Sequence, residues 1–93
     1  MQLQRGQIVN KEQFLKNSSY AKEEYEGLIV AADDQSGFYN FGLQLDEDKI
    51  MVVDKDVKES MVETKLQNWV AQIEPIKQKY NAGSDLQNYI KDH

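Results

Sequence analysis

Cysteine is absent from this sequence, and proline occurs only once. Without cysteine the chain cannot form a disulfide, a thiolate metal site or a cysteine nucleophile. The sequence also lacks any apolar run close to the roughly 18 residues of a membrane-spanning helix. Its N-terminal residues lack the basic segment and the long apolar stretch of a secretory signal. These absences predict a cytoplasmic protein without a membrane partner.

Histidine and basic side chains are scarce. The only histidine is His93, the last residue, where chains usually fray, so a preorganised pair of histidine and nucleophile is not expected. Lysine and arginine together number 11 against 16 aspartates and glutamates, which gives a formal net charge of −5. A basic face for nucleic acid is therefore not expected, and an anionic membrane surface is an equally poor partner. A charged partner would present a positive face.

Apolar residues make up 40% of the chain, which argues against disorder. A sequence of this length fits one domain, so residues 1–93 are predicted to fold as a single unit.

The N-terminal third is predicted to contain a helix. Asn10 can cap its start, and Gln13 three residues later completes a capping box. Residues 18–26 extend this helix or begin another turn, and Gly27 ends it. Residues 3–9 are interpreted as a short strand or as an unpaired arm.

Three strands are predicted to follow, at residues 28–32, 38–46 and 49–54. The first is apolar and β-branched, and the second alternates between apolar and polar residues, which is typical of a half-buried strand. Its apolar residues share one face: Tyr39, Phe41, Leu43 and Leu45. Because the turns between the strands are short, they predict an antiparallel meander.

The C-terminal third is predicted to be helical, with apolar residues at alternating spacings of four and three. These residues are Val62, Leu66, Trp69, Ile73, Ile76 and Tyr80. The stripe is expected to cover the sheet and to bury Trp69, although a helix–helix dimer seam is the alternative interpretation. Pro75 lies off the stripe and either kinks the helix or separates two helices. Gly83 ends it, and Ser84 or Asp85 caps a short last helix.

These elements predict an α+β domain of two layers. Its order is an N-terminal helix, a three-stranded antiparallel β-meander, a long C-terminal helix that is kinked or broken, and a short terminal helix.

Acidic residues are predicted to form two rims, one at each end of the meander. The first rim holds Glu23, Glu24, Glu26, Asp46, Glu47 and Asp48. The second holds Asp33, Asp34, Asp54 and Asp56. Turn chemistry explains most of these acids, and Asp54 or Asp56 is well placed to cap the helix that begins near Val57. The triplet Asp46-Glu47-Asp48 has more charge than a hairpin turn requires.

Neither rim has the pattern of a metal site or of an active site. A Ca²⁺ loop places a third oxygen ligand and a glycine at fixed offsets, and both Asp46-x-Asp48 and Asp54-x-Asp56 fail at the third ligand. A phosphate-binding glycine loop is also missing from the sequence. We therefore expect no metal, no cofactor and no enzymatic activity, and a carboxylate-based enzyme is the least favoured alternative.

The sequence predicts a small, acidic, non-enzymatic protein-binding module. The first rim is expected to face a basic protein surface, including one built to bind nucleic acid. In size, acidity and element order the chain is similar, at the level of class and through no particular residue, to inhibitors of nucleases encoded by phages or mobile elements. A small structural or chaperone-like homodimer is the alternative function, and the sequence is compatible with a monomer or a homodimer.

Overall fold

The structure, a computed structural model, describes residues 3–16 and 18–92, so His93 lies outside the described residues. The described residues form one antiparallel sheet of five strands, β1 (Ile8–Asn10), β2 (Ser18–Tyr25), β3 (Leu28–Asp33), β4 (Tyr39–Asp46) and β5 (Lys49–Val57). They also form the helices α1 (Lys11–Leu15), α2 (Val62–Asn81) and α3 (Leu86–Lys91), with a 3₁₀ turn at Glu59–Met61 before α2. The spatial order of the strands is β1-β5-β4-β3-β2.

The predicted N-terminal helix is wrong over most of its length. It begins as expected, because the Asn10 Oδ1 atom accepts a hydrogen bond from the backbone N–H of Gln13 at 3.3 Å. It then ends within five residues, and most of the segment 18–26 forms β2, which pairs with β3. Glu26 and Gly27 both have positive φ, 37° and 93°, which suits the two-residue turn of a β-hairpin. Gly27 therefore closes a hairpin and does not end a helix.

The three-stranded meander is also wrong, because β2 and β1 add a strand at each edge. The meander runs through β2, β3, β4 and β5, and β1 pairs with the free side of β5. In that pairing Val9 lies opposite Ile50. Three residues are too few to show a period of two, which explains why the sequence leaves β1 open as an arm or a strand.

The main core lies between one face of the sheet and α2 with α3. The alternation predicted for β4 is confirmed, since Phe41 and Leu43 are buried in this core and Tyr39 and Leu45 pack against it. Trp69 is 1% exposed, which confirms that it is buried. Because α2 uses its apolar stripe inside the chain, the dimer-seam interpretation is not supported. α2 continues through Pro75, so of the two alternatives for Pro75, a kink or a break, the break between two helices is wrong.

The opposite face of the sheet has a core of its own, so the predicted two-layer arrangement is wrong. This second core contains Val9, Phe14, Ile29, Ala31, Ile50 and Val52. The ring of Phe14 lies directly on Gly42, because a Cβ atom at that glycine would be 2.8 Å from the Phe14 Cζ atom and 2.5 Å from the Ile50 Cγ2 atom. The sheet is thus covered by α2 and α3 on one face and by α1 with the N-terminal segment on the other.

The position and the cap of the last helix agree with the prediction from the sequence. The Oδ1 atom of Asp85 accepts a hydrogen bond from the backbone N–H of Gln87 at 3.0 Å and so caps α3. Gly83, with φ of 76°, follows the end of α2. No helix in the described part of the chain has the length and apolar character needed to cross a membrane.

Candidate functional site

The β2–β3 and β4–β5 turns lie side by side at one end of the sheet. The backbone N–H of Gln44 donates to the carbonyl of Gly27 at 2.9 Å, and Leu28 pairs with Leu43. We call this region, with the last residues of β2, the acidic end. It contains the six acids of the first predicted rim: Glu23, Glu24, Glu26, Asp46, Glu47 and Asp48.

Two of these acids hold the turns in place. The Oδ1 atom of Asp46 accepts a hydrogen bond from the backbone N–H of Glu47 at 2.9 Å. The Oε2 atom of Glu23 accepts one from the backbone N–H of Gly27 at 3.3 Å. Local hydrogen bonds of this kind fix a tight turn, so turn chemistry accounts for Asp46 and Glu23.

The other four acids make few contacts that stabilise the fold. The Oε1 atom of the half-buried Glu24 lies 3.8 Å from the Nζ atom of the exposed Lys22, a surface pair of small energetic value. Three acids are exposed, and within residues 3–16 and 18–92 their side chains have no hydrogen bond or ion pair. These three are Glu26, Glu47 and Asp48.

Lysines at the same end offset part of this charge. Lys49 pairs with Asp46 across the β4–β5 hairpin, and the Nζ atom of Lys77 donates to the carbonyl of Glu26 at 3.1 Å. The backbone N–H of Lys11 donates to the carbonyl of Asp48 at 2.8 Å, which brings the start of α1 to this end. Charge alone therefore does not set the acidic end apart from the rest of the surface.

The edge strand β2 is the second feature of this region. Among the described residues β2 pairs with β3 alone, so its outer edge is open. Tyr20 and Tyr25 are 53% and 50% exposed. They pair with Ala32 and Leu28, and paired residues point to the same face, so both tyrosines lie on the α2 side of the sheet.

Asp54 of the second rim is buried inside the molecule. It is 7% exposed, and its Oδ2 atom accepts a hydrogen bond from the Nε1–H of Trp69 at 3.1 Å. The Nζ atom of Lys65 lies 3.8 Å from the same oxygen, and the Nε atom of Arg5 lies 4.0 Å from Oδ1. Asp54 thus joins β5 to α2 and to the N-terminal segment.

The predicted helix cap at Asp54 or Asp56 is wrong. β5 continues to Val57, so both acids lie in the strand. Lys58 precedes the 3₁₀ turn and Met61 precedes α2, and neither side chain makes a capping hydrogen bond. The prediction ended β5 at residue 54, and three further residues of strand moved the helix entry away from both acids.

Sequence reasoning did not identify Arg5 as an important residue. Its Nη2 atom donates to the carbonyl of Ile90 at 2.9 Å, and its Nε atom donates to the carbonyl of Val53 at 3.2 Å. Its guanidinium also lies 5.9 Å from the centre of the Trp69 ring. Residue 5 is the only arginine of the chain, which is the one sequence signal that singles it out.

A polar cleft of about 380 Å³ opens at the end of the sheet opposite the acidic end. It lies between α1, the N-terminal segment and the β3–β4 turn. It is lined by Leu3, Gln13, Phe14, Ser18, Asp33, Gln35, Ser36, Asn40, Lys55 and Asp56. Asp33 and Asp56 belong to the second acidic rim, whereas Asn40 and Lys55 were not singled out from the sequence.

Asp33 is held by the turn that follows β3. Its Oδ1 atom accepts hydrogen bonds from the backbone N–H groups of Ser36 at 3.0 Å and Gln35 at 2.8 Å. These two bonds, the one from Ser36 first, lower the pKa of Asp33 below its ordinary value because they stabilise the ionised carboxylate. Asp33 is therefore negatively charged at neutral pH.

Asn40 is a buried amide, 8% exposed, at the start of β4. Its Oδ1 atom accepts a hydrogen bond from the backbone N–H of Asp56 at 3.2 Å. Asp56 has a φ of 54°, a conformation that aspartate and asparagine adopt more readily than most residues. The Nζ atom of Lys55 donates to the carbonyl of Leu3 at 2.8 Å and lies 3.6 Å from the Asp56 Oδ2 atom.

No group of three or more histidine, aspartate or glutamate side chains arranged to hold a metal ion occurs in the described part of the chain. The chain matches no protein-family model, no curated protein and no solved structure. Its function is therefore inferred from the geometry of its own surfaces.

Proposed function

We propose that the protein is a non-enzymatic protein-binding module that holds its partner along the edge strand β2 and the adjoining acidic end. The observation that carries this proposal is the open edge of β2, eight residues long. Natural sheets usually shorten, bulge or cover such an edge, because its free N–H and C=O groups pair readily with another strand. β2 has register shifts near both ends, but the stretch from Tyr20 to Glu23 is regularly paired and open to solvent.

An added strand supplies affinity and side-chain contacts supply selectivity. Backbone hydrogen bonds along β2 are independent of the partner's sequence. Tyr20 and Tyr25 offer aromatic surface, a composition that protein interfaces favour. Glu26, Glu47 and Asp48 carry charges that no described residue neutralises by direct contact. The partner is therefore an extended segment with basic side chains, including a segment from a surface that binds nucleic acid.

The test is capture of the partner from the source cell on immobilised protein, followed by mass spectrometry and by binding measurements with the purified partner. The site variant is Glu47→Lys with Asp48→Lys. The matched control is Glu74→Lys with Asp92→Lys, which changes the net charge equally at exposed positions in α2 and just after α3. The expected result is a partner whose affinity falls by about tenfold or more in the site variant, as charge pairs at interfaces allow, and stays nearly unchanged in the control.

A second pair of variants tests the edge strand itself. Tyr20→Ser with Tyr25→Ser removes the aromatic surface beside β2, and Phe38→Ser removes an exposed aromatic from the opposite end of the sheet. Binding should weaken in the first variant only. Equal binding by all variants would refute the proposal. Capture of a second copy of the chain as the sole ligand would favour the homodimer instead.

A further inference from the structure

We infer that the edge of β2 selects a partner strand in which basic residues alternate with uncharged apolar residues. The basic side chains of that strand lie on the face of the sheet that α1 covers, which we call the α1 side. This selectivity rests on the proposed function and deepens it, because it defines which segment of a partner the edge accepts. It follows from the direction of the backbone groups of β2 and from the charges on its two faces.

Hydrogen bonds at the two ends of β3 show which of its backbone groups bind β4. The N–H of Gln44 donates to the carbonyl of Gly27 at 2.9 Å. The N–H of Asp33 donates to the carbonyl of Phe38 at 2.8 Å. In an antiparallel ladder, bonds in these positions flank residue pairs that exchange no hydrogen bond, and such pairs alternate with bonded pairs along the strand. Every second residue of the range Leu28–Ala32, starting with the first, therefore directs its N–H and C=O groups toward β2.

The same alternation shows which backbone groups of β2 are open. Tyr20 and Lys22 pair with residues of β3 that direct their backbone groups toward β2, so their own N–H and C=O groups bind β3. Ala21 and Glu23 direct theirs to the outer side of the edge, where no strand of the described residues pairs with them. The regular part of the edge thus offers an N–H donor and a C=O acceptor at every second residue, as an added strand requires.

The α1 side of β2 attracts a basic side chain. Ala21 pairs with Ala31 of the second core, so Ala21 and Glu23, two residues further on, lie on this side. Both are exposed, and the small side chain of Ala21 leaves room for a longer one beside it. A residue opposite either of them in an added strand points to the same side. A lysine or arginine there can cover Ala21 with its methylene groups and bring its charge to the Glu23 carboxylate.

The α2 side of β2 disfavours a basic side chain. Lys22 lies on this side because it pairs with Val30 of the main core. Its Nζ atom is 3.8 Å from the Glu24 Oε1 atom, but its side chain is still 60% exposed. Tyr20 and Tyr25 offer aromatic surface on the same side. A basic residue opposite Lys22 would be repelled, an acidic one would also meet Glu24, and an apolar one can pack on the tyrosines.

The two sides together define the pattern of the partner segment. Successive residues of a strand point to opposite faces. The accepted segment therefore alternates a basic residue on the α1 side with an apolar residue on the α2 side. A run of consecutive basic residues would be attracted by the acidic end equally well, but as a strand it would place every second charge on the side of Lys22.

Three peptides of seven residues test this pattern, each titrated into the ¹⁵N-labelled protein and followed by NMR. The first peptide alternates lysine and valine, beginning and ending with lysine. The second has the same composition, with all of its lysines before its valines, and the third alternates glutamate and valine. The first should bind about tenfold more tightly than the second, because several cross-strand pairs act together. The third should bind more weakly than the first by at least the same factor.

Hydrogen exchange of the backbone amides locates the bound strand. In the free protein the amides of Tyr20 and Lys22 should exchange slowly because they bind β3, whereas those of Ala21 and Glu23 should exchange rapidly. Saturation with the first peptide should slow the exchange of Ala21 and Glu23. The second peptide, bound through charge alone, should leave both amides in rapid exchange.

Two variants and a control connect the affinity with these residues. Ala21→Pro removes an N–H that faces solvent, a position where an edge strand tolerates proline, and should weaken the first peptide by about tenfold or more. Glu23→Gln keeps an oxygen for the backbone N–H of Gly27 and removes the charge. It should narrow the difference in affinity between the first and third peptides by about threefold or more. Asp92→Asn removes an equal charge just after α3 and should leave that difference unchanged.

Three results would overturn the inference. The first is rapid exchange of Ala21 and Glu23 in the protein saturated with the first peptide. The second is equal affinity of the first and second peptides, and the third is no measurable binding of the first. Amide spectra show whether each variant is folded, and if Ala21→Pro is not, the exchange of the parent protein decides. A captured partner that still responds to the tyrosine and acidic-end variants while these peptides fail would leave the proposed function intact and remove only the alternating strand.

Discussion

At the scale of single residues, Trp69 combines two functions in the fold. Its ring fills the main core, and its Nε1–H satisfies the buried carboxylate of Asp54. A buried polar group that loses its hydrogen-bond partner destabilises the fold by the full free energy of its desolvation. The side chain therefore contributes both packing and hydrogen bonding.

We predict that Trp69→Ala lowers the free energy of unfolding by about 3–5 kcal/mol, as large-to-small changes in a core do. Trp69→Phe keeps most of the ring and loses only the donor, so it should cost less. Urea unfolding followed by far-ultraviolet circular dichroism measures both values, because neither variant retains a tryptophan signal. A Trp69→Ala protein as stable as Trp69→Phe would contradict the assigned packing.

The lowered pKa of Asp33 predicts that the free energy of unfolding depends on pH. Its pKa is lower in the folded chain than in the unfolded chain, where it takes the ordinary aspartate value of about 3.9. The ionised form is thus bound more strongly by the folded state, and its contribution to stability is complete above that ordinary value. It is lost as the pH falls through the lower, folded pKa.

We therefore expect the difference in stability between the parent and Asp33→Asn to be largest above pH 5 and to shrink as the pH falls toward 3. Asp34→Asn, a change in the same turn that leaves the Asp33 hydrogen bonds in place, is the control. Unfolding curves at a series of pH values measure the differences. A difference for Asp33→Asn that is constant over this range would show that the turn bonds do not favour the ionised carboxylate.

Several residues were predictable because their chemistry is local. Asn10 and Asp85 cap helices as the sequence indicates, since a capping side chain binds a backbone group only two or three residues away. Arg5 and Asn40 were not predictable. Their partners lie 85 and 16 residues away, at Ile90 and Asp56, and no local pattern encodes contacts at those separations.

At the scale of elements, the strands that the sequence identified are those with a clear apolar pattern. β4 alternates, and β3 and β5 contain continuous apolar runs. β2 was missed because none of its eight side chains is buried, so the strand shows no apolar period of two that a core would impose. Its strand conformation comes from pairing with β3 through the Glu26-Gly27 turn.

The continuous apolar runs also contain the signal for the second core. Residues 28–31 are all buried, and so are residues 50–54, which requires cover on both faces of the sheet. A two-layer interpretation left one face of β3 and β5 bare. The helix α1 covers part of that face with one large side chain, Phe14, and β4 accommodates it by presenting Gly42.

We predict that Gly42→Ala destabilises the protein by about 1–3 kcal/mol, the usual cost of overpacking a core. The new methyl group would overlap the ring of Phe14 and the Ile50 side chain. Phe14→Leu removes part of that overlap, so the double variant should be more stable than the sum of the two single effects predicts. Thermal unfolding of the four proteins gives the coupling. Strict additivity would mean that the Phe14 ring does not lie on Gly42.

At the scale of the whole molecule, the sheet has two different edges and two different ends. β1 is short, three residues, and α1 follows it directly, whereas β2 is long and open. One end carries the two hairpin turns with their free acids, and the other carries the polar cleft. The proposed protein interface and the polar cleft therefore occupy separate places, and a change at one should leave the other intact.

This separation leads to a prediction about association with the captured partner. If the acidic end attracts a basic segment at a distance, the association rate constant should fall as salt rises, because exposed charges are screened within about 8 Å at physiological ionic strength. Glu47→Lys with Asp48→Lys should lower that constant most at low salt, and the difference from the parent should narrow at high salt. Stopped-flow measurements at several salt concentrations, with Glu74→Lys and Asp92→Lys as the control, provide the comparison. A salt dependence shared equally by the site variant, the control and the parent would mean that the overall net charge of −5, and not the acidic end, steers the encounter.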